Sequence, residues 1–157
     1  MQTAEELAGR TVWQPVHADS RGRLYCGNKH VTHQGPDYEK ACLSFARKGE
    51  VTDDGMAWLF KAAAGHYGMS RDHWAVRQKW GEKNKQRMLA AAADPLGKLE
   101  LWRDASDPWQ FLQMCRALQE ALDTGRTGVP IRLDQTTSGC GILSTLVRDA
   151  KVARMCN

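Results

Sequence analysis

The stretch that decides the fold lies near the C-terminal end of the sequence: Val129-Pro130-Ile131-Arg132-Leu133-Asp134, followed by the small-residue turn Gln135-Thr136-Thr137-Ser138-Gly139-Cys140-Gly141. The apolar residues before Asp134 predict a short buried strand, and an apparent helix follows from Ile142 to about Arg154. A carboxylate between such a strand and a helix is held rigidly enough to bind a metal ion. An aspartate in this position is more commonly a helix cap or a turn former, so the spacing alone leaves both interpretations open.

Length and composition limit the class of protein. With 157 residues the chain is long enough for one domain with a real core. Its net charge of +4 permits contact with nucleic acid without requiring it. The five cysteines are odd in number and widely scattered, so we expect no disulfide and a reducing, intracellular setting. No apolar run approaches the roughly 18 residues that span a bilayer, and no secretory signal is visible, so we expect no membrane partner.

The order of secondary-structure signals predicts a largely helical body with a few strands at its two ends. Extended segments are expected at 11–18 and 24–26, with a loop from 27 to 36. We expect Asp37 to cap a first helix that includes Ala41 to Ala46, and Thr52 or Asp53 to cap a second that ends at Gly65 and Gly68. The fold class predicted is therefore α+β, mostly helical.

Two further helices are predicted in the second half of the chain. One begins near Ser70 and runs through Leu89, and the segment 94–97 breaks the pattern because it contains a proline and a glycine. The other opens near Ser106 or Asp107, with Pro108 in its first turn, and stops at Gly125. The predicted strand that ends at Asp134 comes next.

A second constellation lies far upstream, in Asp19-Ser20-Arg21-Gly22-Arg23-Leu24-Tyr25. Two arginines that flank a glycine allow both guanidinium groups and backbone to approach phosphates closely. Asp19 could orient one of those guanidinium groups. The alternative is an ordinary hairpin turn with solvated arginines.

Two other patterns bear on chemistry. Cys26, His30 and His33 have a spacing that suggests zinc, but no fourth ligand follows compactly, which favours surface loop histidines. The stretch from Arg71 to Arg87 has six basic residues against two acidic ones. A solvated helix face is the default interpretation of such a run, and a phosphate-facing surface stays open.

Taken together, these features closely resemble the single-subunit DNA-directed RNA polymerases of the bacteriophage and mitochondrial type. The upstream element is similar to that family's Asp-x-Arg-Gly-Arg-x-Tyr motif, and the stretch from Asp134 to Asp149 is similar to polymerase motif A and its following helix. The resemblance covers roughly residues 11–157. Matching motifs fall between the two in the family's order: Lys40-Ala41-Cys42-Leu43-Ser44-Phe45-Ala46, Gly55-x-x-Trp58-Leu59, Asp94-Pro95-Leu96 and Asp107-Pro108-Trp109-Gln110.

The resemblance implies templated nucleotidyl transfer, with a DNA template, an RNA transcript and nucleoside triphosphates as partners and Mg²⁺ as cofactor. Asp134 would be one of two magnesium-binding aspartates, with the carbonyl of Gln135 as a secondary ligand. Arg21 and Arg23 would contact nucleic acid near the active centre, and Lys40 stands where the family has a lysine near the nucleic acid. The implied fold is a helical connector plus the first strands of a polymerase palm.

The resemblance also implies an organisation along the chain: a lead at 1–10, the arginine element and helical connector at 11–128, and the start of a palm at 129–157. Two departures stand out, since Gln135 replaces the usual glycine and Gly141-Ile142 replace the usual Gln-His pair.

The family's downstream nucleotide-gripping residues and its second metal aspartate do not occur within the 157 residues, so we expect a fragment that is inactive alone. The alternatives are a non-catalytic nucleic-acid-binding remnant, or one part of a split polymerase whose missing segments come from another chain. The expected setting is the cytoplasm of a bacterial host or phage-infected cell rather than a mitochondrion.

Overall fold

The computed structural model describes residues 2–20, 23–28, 30–133 and 143–155. Two small antiparallel ladders accompany the helices: β1 (Val16–Ala18) pairs with β2 (Leu24–Cys26), and β3 (Gly49–Glu50) pairs with β4 (Arg126–Thr127). This arrangement confirms the mostly helical α+β class. The helices are α1 (Gln2–Leu7), α2 (Asp37–Ala41), α3 (Asp53–Ala64), α4 (Trp74–Lys83), α5 (Lys85–Ala93), α6 (Pro108–Thr124) and α7 (Ala150–Met155), and residues 143–146 are also helical.

The core forms around α6, because its apolar residues recur at helical spacing and face α3 and α5. Phe111, Met114, Cys115 and Leu118 are fully buried. They pack against side chains of α3 and α5 that are themselves fully buried, such as Met88. Deep burial raises the pKa of the Cys115 thiol to about 12, since an apolar environment disfavours the thiolate.

The predicted ends of α3 and α6 are confirmed. Thr52 accepts a hydrogen bond through Oγ1 from the backbone N–H of Gly55 at 3.2 Å, which satisfies one free donor of α3. Pro108 stands in the first turn of α6, and the helix stops at Gly125, whose φ of 70° is the left-handed conformation that glycine adopts without strain. After α3 the chain continues through a π-helical turn, Gly65–Met69, in which Gly68 has φ 141°.

The single helix predicted from Ser70 to Leu89 is wrong, because the structure has two helices there. α4 begins only at Trp74, capped by His73, whose Nδ1 accepts from the N–H of Ala75. The break falls at Asn84, where φ −96° and ψ 10° leave the helical range. Its N–H and its side-chain amide both donate to the carbonyl of Trp80, at 2.9 and 2.8 Å.

The predicted role of Asp37 as a cap of its own helix is also wrong. Pro36 occupies the N-cap position of α2, and no side chain caps that helix. The helix ends at Ala41 rather than reaching Ala46, and the N–H of Phe45 donates instead to the carbonyl of Gly128 at 2.7 Å. This bond draws the segment after α2 toward the chain that follows β4.

The predicted strand before Asp134 does not form a ladder in the part of the chain that the structure describes. Residues 129–133 are irregular, and Val129 and Ile131 pack against a cluster of α3 and α6 side chains instead. Pro130 has no N–H to donate, and the N–H of Val129 is directed to the hydroxyl of Thr127 at 3.4 Å.

The helix predicted from Ile142 to Arg154 is interrupted. The described residues are helical at 143–146, then turn at Arg148, which has φ 57°, before α7 begins at Ala150. Asp149 caps α7, since its Oδ1 accepts from the N–H groups of Lys151 and Val152 at 3.0 and 3.1 Å.

Candidate nucleic-acid interface

The hairpin β1–β2 presents the upstream arginine element. Its turn is closed twice between Asp19 and Arg23: the N–H of Asp19 donates to the carbonyl of Arg23, and the N–H of Arg23 donates to Oδ1 of Asp19, both at 2.9 Å. The side chain of Arg23 is exposed, and Arg21 and Gly22 lie outside the described residues. The fold therefore places Arg23 at an exposed position, with its backbone bonded to Asp19.

A polar network anchors the base of the hairpin to the loop that follows it. The amide of Gln14 donates to the carbonyl of Val31 at 2.9 Å, and its Oε1 lies 2.5 Å from Nδ1 of His33. The sulfur of Cys26 lies 3.3 Å from the same Nδ1. These contacts join the hairpin to the loop after it. Within the described ranges, no three His, Cys, Asp or Glu side chains are grouped as metal ligands.

Helix α2 is hydrogen-bonded to the segment that leads into Asp134. Lys40 lies on this helix, and its carbonyl accepts a hydrogen bond from the guanidinium of Arg132 at 3.0 Å. Arg132 precedes Asp134 by two residues. The structure thus brings the neighbourhood of Lys40 and the approach to Asp134 together across more than ninety residues of sequence.

Asp37 fixes the other end of α2. Its Oδ2 accepts from the N–H of Trp109 at 2.8 Å, and its Oδ1 accepts from the N–H and the side-chain amide of Gln110 at 3.1 and 3.0 Å. These N–H groups are free donors at the first turn of α6, where a carboxylate also complements the helix dipole. Asp37 therefore caps α6 from another helix.

Charged and polar groups meet beneath α2. His66 is partly buried, and its Nδ1 lies 3.1 Å from Oδ2 of Asp107. Burial lowers the pKa of His66; the contact with Asp107 raises it by less, and the charge of Arg132 adds to the lowering. The imidazole is accordingly neutral near neutral pH, which avoids placing two cations in one partly buried site.

Arg132 and Gln110 each have one buried polar atom without a partner among the described groups. These atoms are one terminal nitrogen of Arg132 and Oε1 of Gln110. Partial burial lowers the pKa of Arg132, and the negative charge of Asp37 opposes that effect, so the guanidinium stays charged.

An open cleft of about 1090 Å³ is lined by residues that include Gln14, Val31 and His33 near the hairpin base and Pro130 and Arg132 before Asp134. The described residues of the arginine element are not part of its lining, so the cleft adjoins only the segment that leads into Asp134.

Of the residues predicted for the site, Asp134, Gln135 and Arg21 lie outside the described residues, and Arg23 and Lys40 lie within them. The structure adds Asp37 and Arg132, which sequence reasoning missed. The sequence around Asp37 favours it as a cap of its own helix. Its actual partner, the N-terminus of α6, lies too far along the chain to be recognised from that local sequence. In the sequence, Arg132 is recognisable only as one residue of a predicted apolar strand.

Comparison with known proteins decides the family. The family model of DNA-dependent RNA polymerase matches residues 49–157. The chain belongs to this family. It is 27% identical over 162 residues to the mitochondrial DNA-directed RNA polymerase of Neurospora crassa, covering 100% of this chain and 11% of that protein. It is 30% identical over 151 residues to the DNA-directed RNA polymerase of Enterobacteria phage K11, covering 94% of this chain and 16% of that protein.

A chloroplast polymerase is also similar: DNA-directed RNA polymerase 3 of Nicotiana sylvestris is 29% identical over 152 residues, which cover 92% of this chain and 16% of that protein. The chain thus spans well under a quarter of the length of these relatives. Among the residues of this chain that the structure describes, no helix is long and apolar enough to cross a membrane.

Proposed function

We propose that this chain contributes part of the catalytic core of a DNA-directed RNA polymerase, which transfers nucleotides from nucleoside triphosphates to an RNA 3′-hydroxyl on a DNA template. The observation that carries the proposal is the match of the DNA-dependent RNA polymerase family model to residues 49–157. The 3.0 Å hydrogen bond from Arg132 to the carbonyl of Lys40 supports it, because it joins the helix of the proposed nucleic-acid lysine to the segment that leads into Asp134.

The metal-binding part of the proposal rests on Asp134 and the carbonyl of Gln135. A carboxylate and a carbonyl are the hard oxygen donors that Mg²⁺ prefers, so the donor set fits this ion. Both residues lie outside the described ranges, and we assign no geometry to the metal. When bound, Mg²⁺ supplies positive charge to the attacking and leaving oxygens of the phosphoryl group.

The nucleic-acid part of the proposal assigns Arg21, Arg23 and Lys40 to the template, the transcript or their hybrid. The exposed position of Arg23 supports this role, because a solvent-facing guanidinium can pair with phosphate oxygens. We further propose the cytoplasm of a bacterial host or phage-infected cell as the setting; the relatives include mitochondrial, phage and chloroplast polymerases.

The metal proposal is tested by titrating the 157-residue chain with Mn²⁺, a paramagnetic substitute for Mg²⁺. Electron paramagnetic resonance measures the concentration of free Mn²⁺ at each step. Asp134→Asn is expected to weaken the tightest binding at least tenfold, because one anionic ligand is removed. The matched control is Asp123→Asn, on an exposed position of α6. Equal Mn²⁺ binding by wild type and Asp134→Asn would contradict the assignment.

The nucleic-acid assignment is tested separately, with a fluorescent DNA–RNA hybrid and anisotropy at several salt concentrations. Arg23→Gln is expected to weaken binding and to lower the salt dependence by about one released counterion. Arg103→Gln removes an exposed arginine elsewhere and serves as control. If both variants bind the hybrid as tightly as the wild type, the hairpin does not contact nucleic acid.

A further inference from the structure

A thiol and an imidazole meet at the base of the hairpin, and the proposed nucleotidyl transfer uses neither of them. The sulfur of Cys26 lies 3.3 Å from Nδ1 and 3.5 Å from Nε2 of the His33 ring. Cys26 is half-buried and His33 is exposed, so a small reagent in solution can reach the pair. A base beside a thiol makes the sulfur a better nucleophile, because the base removes the proton as the new bond forms.

The side chain of Gln14 decides which nitrogen of His33 can serve as the base. Its amide nitrogen donates to the carbonyl of Val31 at 2.9 Å, which turns Oε1 toward the imidazole. This oxygen lies 2.5 Å from Nδ1 of His33 and can only accept, so Nδ1 carries the proton when the ring is neutral. Nε2 then has a free lone pair, 3.5 Å from the sulfur of Cys26. A nucleophile, a base and a group that orients the base are therefore all present.

The other cysteines that the structure describes have different surroundings. Cys42 is exposed, and among the described residues no imidazole forms a hydrogen bond with its sulfur. Cys115 is buried in the core, where the pKa of its thiol is raised to about 12. Cys42 thus provides an internal reference, because it is a thiol that solvent reaches but that has no neighbouring base.

The open cleft next to the pair carries positive charge. Its lining includes Gln14 and His33 and three cationic side chains, Arg10, Lys48 and Arg132. No aspartate or glutamate of the described residues lines it. Glu120 and Asp37 offset part of this charge from outside the lining. A small reagent that carries carboxylates is therefore attracted to the cleft more than one that carries amines.

We propose that Cys26 is a modification site for small disulfides that carry carboxylates, with His33 as general base. The thiol of Cys26 gives its proton to Nε2 of His33 while the sulfur attacks one sulfur of the disulfide. The disulfide bond of the reagent breaks, the departing thiolate takes the proton from His33, and a mixed disulfide stays on Cys26. One disulfide replaces another, so the exchange needs no further oxidant. This reactivity does not depend on the proposed metal or nucleic-acid sites.

The test exposes the folded 157-residue chain to glutathione disulfide near neutral pH and follows each cysteine by peptide mass spectrometry. Each rate constant is divided by that of the same cysteine in the chain unfolded in urea, which removes differences in intrinsic reactivity. A positioned general base speeds a reaction by about 10²–10⁴-fold, and the half-burial of Cys26 opposes part of this gain. We therefore expect the normalised rate of Cys26 to exceed that of Cys42 roughly tenfold.

Variants separate the base from its surroundings. His33→Gln is expected to lower the rate of Cys26 roughly tenfold and to leave that of Cys42 unchanged. His30→Gln is the matched control, because His30 is an exposed histidine of the same loop whose ring forms no hydrogen bond with Cys26. Gln14→Leu should also slow Cys26, and Gln14→Glu should restore the rate, since a carboxylate accepts from Nδ1 as the amide oxygen does. Circular dichroism checks that each variant is folded.

Cystamine, a disulfide with two ammonium groups, tests the class of reagent. We expect the normalised rate of Cys26 to be roughly threefold higher with glutathione disulfide than with cystamine, and the difference to shrink as salt is added. Equal rates of Cys26 in wild type and His33→Gln would overturn the role of His33. A normalised rate of Cys26 no higher than that of Cys42 would overturn the site, and a faster reaction with cystamine would overturn the acidic class of reagent.

Discussion

Replacing Asp37 by alanine removes a carboxylate that serves a helix seventy residues away. In the native protein its two oxygens accept three hydrogen bonds, from the N–H groups of Trp109 and Gln110 and from the side-chain amide of Gln110. Gln110 is 3% exposed, so water cannot readily replace the missing acceptor there. The substitution therefore leaves a buried donor without a partner as well as an uncapped helix.

The expected cost follows from these hydrogen bonds. Loss of an N-terminal cap destabilises a protein by about 0.5–2 kcal/mol. A buried donor left without a partner costs about 1–3 kcal/mol more. We expect Asp37→Ala to lower the free energy of unfolding by about 2–4 kcal/mol, and Asp37→Asn by about half as much, because asparagine keeps one acceptor oxygen but not the charge.

The assay is urea unfolding followed by tryptophan fluorescence and by circular dichroism. With a urea dependence of about 2 kcal/mol per molar, Asp37→Ala should lower the unfolding midpoint by about 1–2 M. Asp104→Ala removes an exposed aspartate and is the control. If the midpoints of the two variants agree, Asp37 does not stabilise the start of α6.

Three further predictions concern the core and its titratable groups. Gly81→Ala should destabilise the protein by about 1–3 kcal/mol in urea unfolding, because the new methyl would lie 2.5–2.9 Å from atoms of α3. The control is Gly55→Ala, which should be neutral or stabilising because the nearest contact of its new methyl is 3.4 Å away. Burial lowers the pKa of His66, so the unfolded chain binds the proton at a higher pH than the folded protein does. The stability that His66 contributes is therefore present above about pH 6.5 and is lost as the pH falls below it. His66→Gln should flatten that part of the pH profile of the free energy of unfolding. Cys115, with a pKa of about 12, should resist iodoacetamide in the native protein while exposed Cys42 reacts, as read by peptide mass spectrometry; modification of native Cys115 at the rate of Cys42 would contradict the burial.

The sequence predicts those local features whose cause is also local. Thr52 and Gly125 mark helix ends through contacts within a few residues, so the pattern is sufficient to place them. The break at Asn84 escapes prediction because asparagine is tolerated within helices, and only the backbone angles of Asn84 in the folded chain show that the helix stops there. The close packing of Gly81 on Phe60 depends on how α3 and α4 approach, which no local pattern reports.

The sequence by itself determined the family, because ordered motifs at matching separations do not require coordinates to be recognised. It also determined the mostly helical class, since helical periodicity is a property of neighbouring residues. Only the tertiary structure decided that Asp37 caps α6, that Arg132 bonds to the carbonyl of Lys40, and that residues 129–133 pack on helices instead of pairing in a ladder. The physical reason is distance along the chain: a carboxylate or guanidinium can bond equally well to many groups, and the packing of the core selects the one that lies within reach.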